Sequence, residues 1–137
     1  MHRNYLGFDY GKRYIGVAVG SALTKKAEPL GVVTAQKGVP DWTQIDKLIN
    51  TWQPAALVLG WPLNMDGSEQ NLTQAVRVFE QNLTARYNKV CYRADERLTT
   101  YEAKKLLGKK QKDKKKVDAV SAAVLLEQWL QEHSDNQ

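Results

Sequence analysis

The stretch FDYGKRYIGVAVG, Phe8–Gly20, sets one carboxylate, Asp9, where an apolar run meets a glycine turn. An aspartate in that position either shapes the turn or belongs to a cation site whose other ligands lie further along the chain. Two more acids occupy comparable places. Glu96 follows the apolar-alternating run Lys89–Ala94, and Asp118 opens a helical pattern running from Val117 to about Glu132. Each has a plain structural reading as well: Asp9 serves the turn, Asp118 stabilises the positive end of its helix, and Glu96 pairs with Arg93 or Arg97. Lys12 and Arg13 stand in the turn beside Asp9, and Arg97 adjoins Glu96. Such cations suit a phosphate oxygen, or simply balance the acids. His2 and His133 lie near the termini, outside any constellation.

The elements that must position these residues follow from pattern. Tyr5–Asp9 and Tyr14–Gly20 are β-favouring runs whose glycine-containing link predicts a hairpin, and Gly31–Ala35 extends it to an antiparallel meander. Asp41 with Gln44 forms a capping-box pattern ahead of a helix that must end before Pro54. Ala55–Gly60 is continuously apolar, as a strand covered on both faces would be, and it follows a helix, as a parallel crossover requires. A loop holding Pro62, Asn64 and Asp66-Gly67 leads to a helix from Ser68 to about Tyr87, then to the strand Lys89–Ala94. A shorter helix from Thr99 through Leu107 and the last helix complete the chain.

The order β-β-β-α-β-α-β-α-α predicts an α/β fold with a mixed five-stranded sheet flanked by helices. If strands one, four and five are parallel neighbours, Asp9 and Glu96 leave the same edge of the sheet, where open α/β sheets bind ligands. A length of 137 residues fits a single domain, 1–137.

The chain is 42% hydrophobic and 26% charged, which argues against disorder and fibrous repeats. One cysteine, Cys91, rules out an intrachain disulfide and reads as a small, buried, apolar residue. Charges interrupt the N-terminal apolar positions and no apolar run approaches a membrane span, so a cytoplasmic protein is expected. The net charge of +5 is concentrated: eight lysines against one acid lie between Lys104 and Lys116. A lysine-rich loop at about 108–116, with Lys109, Lys110, Lys112, Lys114, Lys115 and Lys116, is the predicted contact for nucleic-acid phosphates through counterion release.

Four stretches in this order resemble the YqgF (RuvX) family of the ribonuclease H-like superfamily: FDYGKRYIGVAVG, LGWPLNMDGSEQ (Leu59–Gln70), DERLTTYEA (Asp95–Ala103) and KVDAVSAAVLLE (Lys116–Glu127). The resemblance spans nearly the whole chain. Members are described as Holliday junction resolvases and as nucleases maturing the small-subunit ribosomal RNA precursor. The resemblance implies that Asp9, Glu96 and Asp118 are catalytic metal ligands. Hard Mg²⁺ or Mn²⁺ ions prefer such carboxylates, and two of them can activate water and stabilise the leaving oxygen in phosphodiester cleavage. It further implies a nucleic-acid partner, ribosomal RNA precursor ahead of a DNA junction, and association with ribosomal particles; no membrane partner is expected from the apolar pattern, and monomer and homodimer both stay open. Junction resolvases carry a glutamate at the end of strand four, whereas this chain has Gly60-Trp61-Pro62, so Glu96 has to take that part. Trp61 stands where the family pattern has leucine, as packing or as a base-stacking platform.

Two other classes compete. A strand-Asp-x-Gly hairpin also cradles phosphates in the actin and hexokinase superfamily, but that arrangement needs two such domains. A non-catalytic RNA-binding protein would use the lysines alone.

Overall fold

The computed structural model describes residues 3–96 and 114–133. Their sheet runs β4-β3-β2-β1-β5-β6. The strands are β1 (Asn4–Asp9), β2 (Tyr14–Ser21), β3 (Lys26–Gln36), β4 (Val39–Pro40), β5 (Ala56–Trp61) and β6 (Cys91–Asp95). The helices are α1 (Trp42–Trp52), α2 (Asn71–Tyr87) and α3 (Lys114–His133). β1, β2 and β3 are antiparallel, while β1, β5 and β6 are parallel neighbours, as the crossover argument requires.

The sheet has six strands rather than five. The additional one, β4, pairs only Pro40 with Ala35 and Val39 with Gln36, too short a segment to show a period of two. The third strand is also longer than Gly31–Ala35, because polar residues on its exposed face hide the alternation. α2 begins at Asn71, three residues after the expected start, since Asp66 and Ser68 are used in a turn: the Asp66 carboxylate accepts from the Ser68 amide at 2.9 Å. α3 begins at Lys114, so Lys114, Lys115 and Lys116 form its first turn instead of the end of a loop. Lysine is a good helix former, and the Lys115 ammonium lies 5.2 Å from the Tyr14 ring centroid. The expected helix Thr99–Leu107, together with Arg97, Lys109, Lys110 and Lys112, lies outside the described residues.

α1 starts as its sequence dictates. The Asp41 carboxylate accepts from the Thr43 amide at 3.1 Å, and Gln53 closes the helix in the left-handed region. Gln44 ties α1 to the sheet instead of completing a reciprocal box, because its amide oxygen accepts from the Thr34 amide at 3.0 Å.

Each sheet face carries its own core. Leu6, Phe8, Ile15, Val17, Leu57, Leu59 and Trp61 point towards α1 and α2, where Phe79 meets Phe8 edge-on with centroids 5.7 Å apart. The opposite face is built from small residues, Gly7, Gly16, Ala18, Gly20, Ala56 and Gly60, and takes α3 through Ala122, Leu125, Leu126, Trp129 and Leu130. Gly16 is the tightest point: a Cβ there would overlap the Asp118 backbone carbonyl. Removing side-chain volume from β2 lets the helix backbone rest almost directly on the strand. Among the described residues no helix is long and apolar enough to cross a membrane.

Candidate active site

Strand alternation decides which side chains share a face. In β1, Tyr5 and Gly7 face α3, and Asp9 follows in the same phase at the end of the strand. In β6, Tyr92 meets Trp129 of α3 and Ala94 packs against the same core. Glu96 is next in that phase, while Asp95 falls in the phase of Arg93 on the α2 side. Asp118 comes from the first turns of α3, held over Gly16. The three acids therefore converge at the carboxyl end of the parallel strands and line one open cleft of about 950 Å³.

Their electrostatics are those of crowded carboxylates. Asp118 is 7% exposed and Glu96 partly buried. Glu96 hydrogen-bonds the Asp9 carboxyl. Burial first, then that bond and the charges of Asp9, Asp95 and Asp118, push the Glu96 pKa far above the usual carboxylate range. The Glu96 carboxyl takes the space that a side chain on Gly60 would need: a Cβ there would stand 2.6 Å from its Cδ. The glycine at the end of β5 thus makes room for an acid supplied by the next strand. This is the physical counterpart of the missing glutamate at that position.

Among the described residues, no three carboxylate, histidine or cysteine side chains stand as a finished metal cage. The donor set still suits a hard divalent cation. It consists of oxygen ligands alone, and Glu96 and Asp9 share a contact that requires either a proton or a cation between them.

Lys12 and Arg13 line the same cleft, as do Tyr10, Asn64 and Ser121, none of which except Asn64 stands out in the sequence. Tyr10 and Ser121 belong to ordinary apolar-helical or strand patterns, and only the fold brings them to the site. Lys116 is exposed on α3. Arg93 does not pair with Glu96; it forms a two-pronged ion pair with Glu80, at 2.9 and 3.0 Å. Trp61 is 7% exposed, with the Arg93 guanidinium 3.8 Å and the Arg77 guanidinium 5.4 Å from its ring centroid. Buried in the α2-side core and contacted by these cations, it packs and is not a stacking platform. Asn64 and Asp66 spend their side chains on the loop itself, through Ser68. Cys91 is partly buried against the α2-side core, and burial raises its thiol pKa. His133 stacks on Trp129, with centroids 4.6 Å apart, far from the acids along α3.

The Glu96 carboxyl gives a test in chelator. With its pKa raised on folding, the folded chain holds a proton that the unfolded chain releases above about pH 4.3. This contribution is complete below that pH and drains away as pH rises towards the folded value. Wild-type melting temperature is therefore expected to fall from pH 5 to pH 9 on account of this group. Glu96→Gln, which bonds Asp9 without a titrating proton, flattens the profile and melts about 3–6 °C higher at the alkaline end, matching roughly 1–2 kcal/mol. Thermal melts across pH decide it, and parallel profiles for the two proteins would refute the shared proton.

A mixed sheet of this order, with an acidic edge at its parallel strands, is the ribonuclease H-like architecture. Thermus thermophilus RuvC, solved in complex with a Holliday junction substrate, superposes with a TM-score of 0.55 at 16% identity, covering 97% of this chain and 98% of that one. The yeast mitochondrial Holliday junction resolvase Ydc2 does so with a TM-score of 0.52 at 11% identity, covering 96% and 82%. The chain belongs to the RuvX family, whose sequence profile, described as Holliday junction resolvase, matches residues 3–132. A Pseudomonas aeruginosa relative named "Putative pre-16S rRNA nuclease" is 51% identical over 97% of this chain and 95% of its own length. An Aeromonas salmonicida relative of the same name is 48% identical over 95% and 96%.

Proposed function

We propose that this chain is a divalent-metal-dependent nuclease that hydrolyses phosphodiester bonds of structured nucleic acid, with the end of the small-subunit ribosomal RNA precursor as its substrate. The observation that carries the reading is the convergence of Asp9, Glu96 and Asp118 on one sheet face, lining a cleft that Lys12 and Arg13 also border. Asp9, Glu96 and Asp118 would hold Mg²⁺ or Mn²⁺. Bound there, the metal would supply charge stabilisation for the attacking and leaving oxygens and a more acidic water. The chain's own part is positional: Gly16 sets the height of Asp118, Gly60 leaves room for Glu96, and the β1–β2 turn brings Lys12 and Arg13 to the non-reacting phosphate oxygens. The relatives' names support the RNA substrate.

A second reading, cleavage of four-way DNA junctions in recombination, is supported by the family description and by the substrate held in the RuvC complex. Fold alone does not choose between the substrates. The Lys114–Lys116 turn, with Arg97, Lys109, Lys110 and Lys112, would add sequence-independent phosphate contacts to either. Incubating the purified protein with labelled precursor ribosomal RNA and with a four-way junction, each with Mg²⁺, with Mn²⁺ and with chelator, tests the proposal. Precursor RNA is expected to be cut with metal and left intact with chelator. Acting in the cytoplasm as monomer or homodimer belongs to the same proposal; preferential cutting of the junction would replace the RNA reading, and cutting of neither would leave a non-catalytic RNA-binding protein.

A further inference from the structure

A second groove of about 1170 Å³ lies beside the acidic cleft, and Arg13 lines both. Its remaining wall comes from the end of β3 and the turn into β4, including Thr34, Gln36, Lys37 and Asp41. Two turns form its rim, and they are fastened together. The Gly38 amide donates to the Lys12 carbonyl at 3.1 Å, the Ala35 amide to the Arg13 carbonyl at 2.8 Å, and the Tyr10 hydroxyl to the Gly38 carbonyl at 2.5 Å. Lys37 and Gly38 both take positive φ, 51° and 85°, which fixes the path of the second turn. Lys12, Arg13 and Lys37 are exposed and enter no ion pair among the described residues. The one acid in the groove, Asp41, is occupied at the α1 N-terminus, accepting from the Thr43 amide and from the Gln44 side chain.

We infer that this groove, with Arg13 and Lys37 as its cations, holds the phosphodiester backbone of the substrate strand beyond the nucleotide at the acidic cleft. The inference rests on the nuclease reading for the identity of the strand. A rigid rim of cations that enter no ion pair among the described residues, opening from the cleft, favours a polyanion that continues out of it. Arg13, shared by both spaces, marks where the strand passes from one to the other. β4, otherwise too short to matter to the sheet, then has a use: it places Lys37 opposite the Lys12–Arg13 turn.

The test is binding of a ladder of labelled single-stranded RNAs of increasing length, measured by fluorescence anisotropy in chelator so that no strand is cut. Wild type is expected to gain affinity in a step once the strand is long enough to leave the cleft. Lys37→Glu loses that step, binding the long strands about 10-fold more weakly with a salt slope lower by about one, and binds the shortest strands as wild type does. Lys37→Arg keeps the step. Lys47→Glu, the same charge change on the exposed face of α1, shows what general electrostatics alone contribute. The inference is overturned if wild type shows no step, or if Lys37→Glu weakens every length by the factor that Lys47→Glu does. A failed nuclease reading appears separately, as absence of metal-dependent cleavage with the length step intact.

Discussion

Asp9→Asn is expected to lower metal-dependent cleavage by about 10³-fold or more while leaving the melting temperature at or slightly above that of wild type. The substitution keeps the size and one oxygen of the side chain, so the cleft remains filled. It removes an anionic oxygen that a divalent cation would need, and only the charged form serves a hard ion well. Stability does not suffer, because the Asp9–Glu96 bond can be remade: an asparagine carbonyl oxygen accepts from the protonated Glu96 carboxyl, and its amide can donate to Glu96 once that proton is lost. Single-turnover cleavage at saturating protein, alongside a thermal melt, reads both halves. A folded variant cutting at the wild-type rate would remove Asp9 from the chemistry; a large fall in melting temperature would make its role structural.

Gly16→Ala is expected to destabilise the fold by about 3 kcal/mol or more, a drop near 10 °C in melting temperature, and to abolish cleavage with it. One methyl group has this effect because the obstacle is backbone on both sides. The added Cβ would overlap the Asp118 carbonyl, and neither β2 nor the first turns of α3 can rotate away as a side chain would. The helix must lift, and Asp118 leaves the acidic edge with it. Gly60→Ala is the instructive contrast. There the new Cβ meets side-chain atoms, Glu96 Cδ and Leu125 Cδ1, both at 2.6 Å. Those ends can swing aside, so stability falls by only about 1 kcal/mol. The displaced carboxylate, moved by an ångström or so, costs roughly 10²-fold in rate. Chemical denaturation paired with cleavage assays separates the two outcomes, and equal stability losses at both glycines would contradict the close approach of α3 at Gly16.

Pattern led to a mixed sheet and, on the condition that strands one, four and five are parallel neighbours, to the common edge of Asp9 and Glu96. The continuous apolar run at β5 requires cover on both faces, and a helix before it requires a crossover, leaving few arrangements. Asp41 as a helix cap was equally legible, since capping is decided within a few residues. Where a residue's meaning depends on its neighbours in space, sequence stopped short. Trp61 reads as packing or as a platform until its burial and its contacts with Arg93 and Arg77 are seen. Glu96 and Arg93 look like a local pair until strand alternation sends Arg93 to Glu80 on the other side of the sheet. Lys114–Lys116 read as loop because the helix was counted from its first apolar residue.

The sequence by itself determined the alternation of apolar and polar residues, and with it the strand order around β1 and the type of ligand available, carboxylate oxygen. It also determined where charge accumulates. Only the tertiary structure decided that a third acid, more than a hundred residues from the first, lies across the same sheet face. That outcome depends on volume rather than polarity: Gly7, Gly16, Gly20 and Gly60 carry no pattern signal beyond being small, yet their missing side chains set the height at which α3 rests and the space into which Glu96 folds.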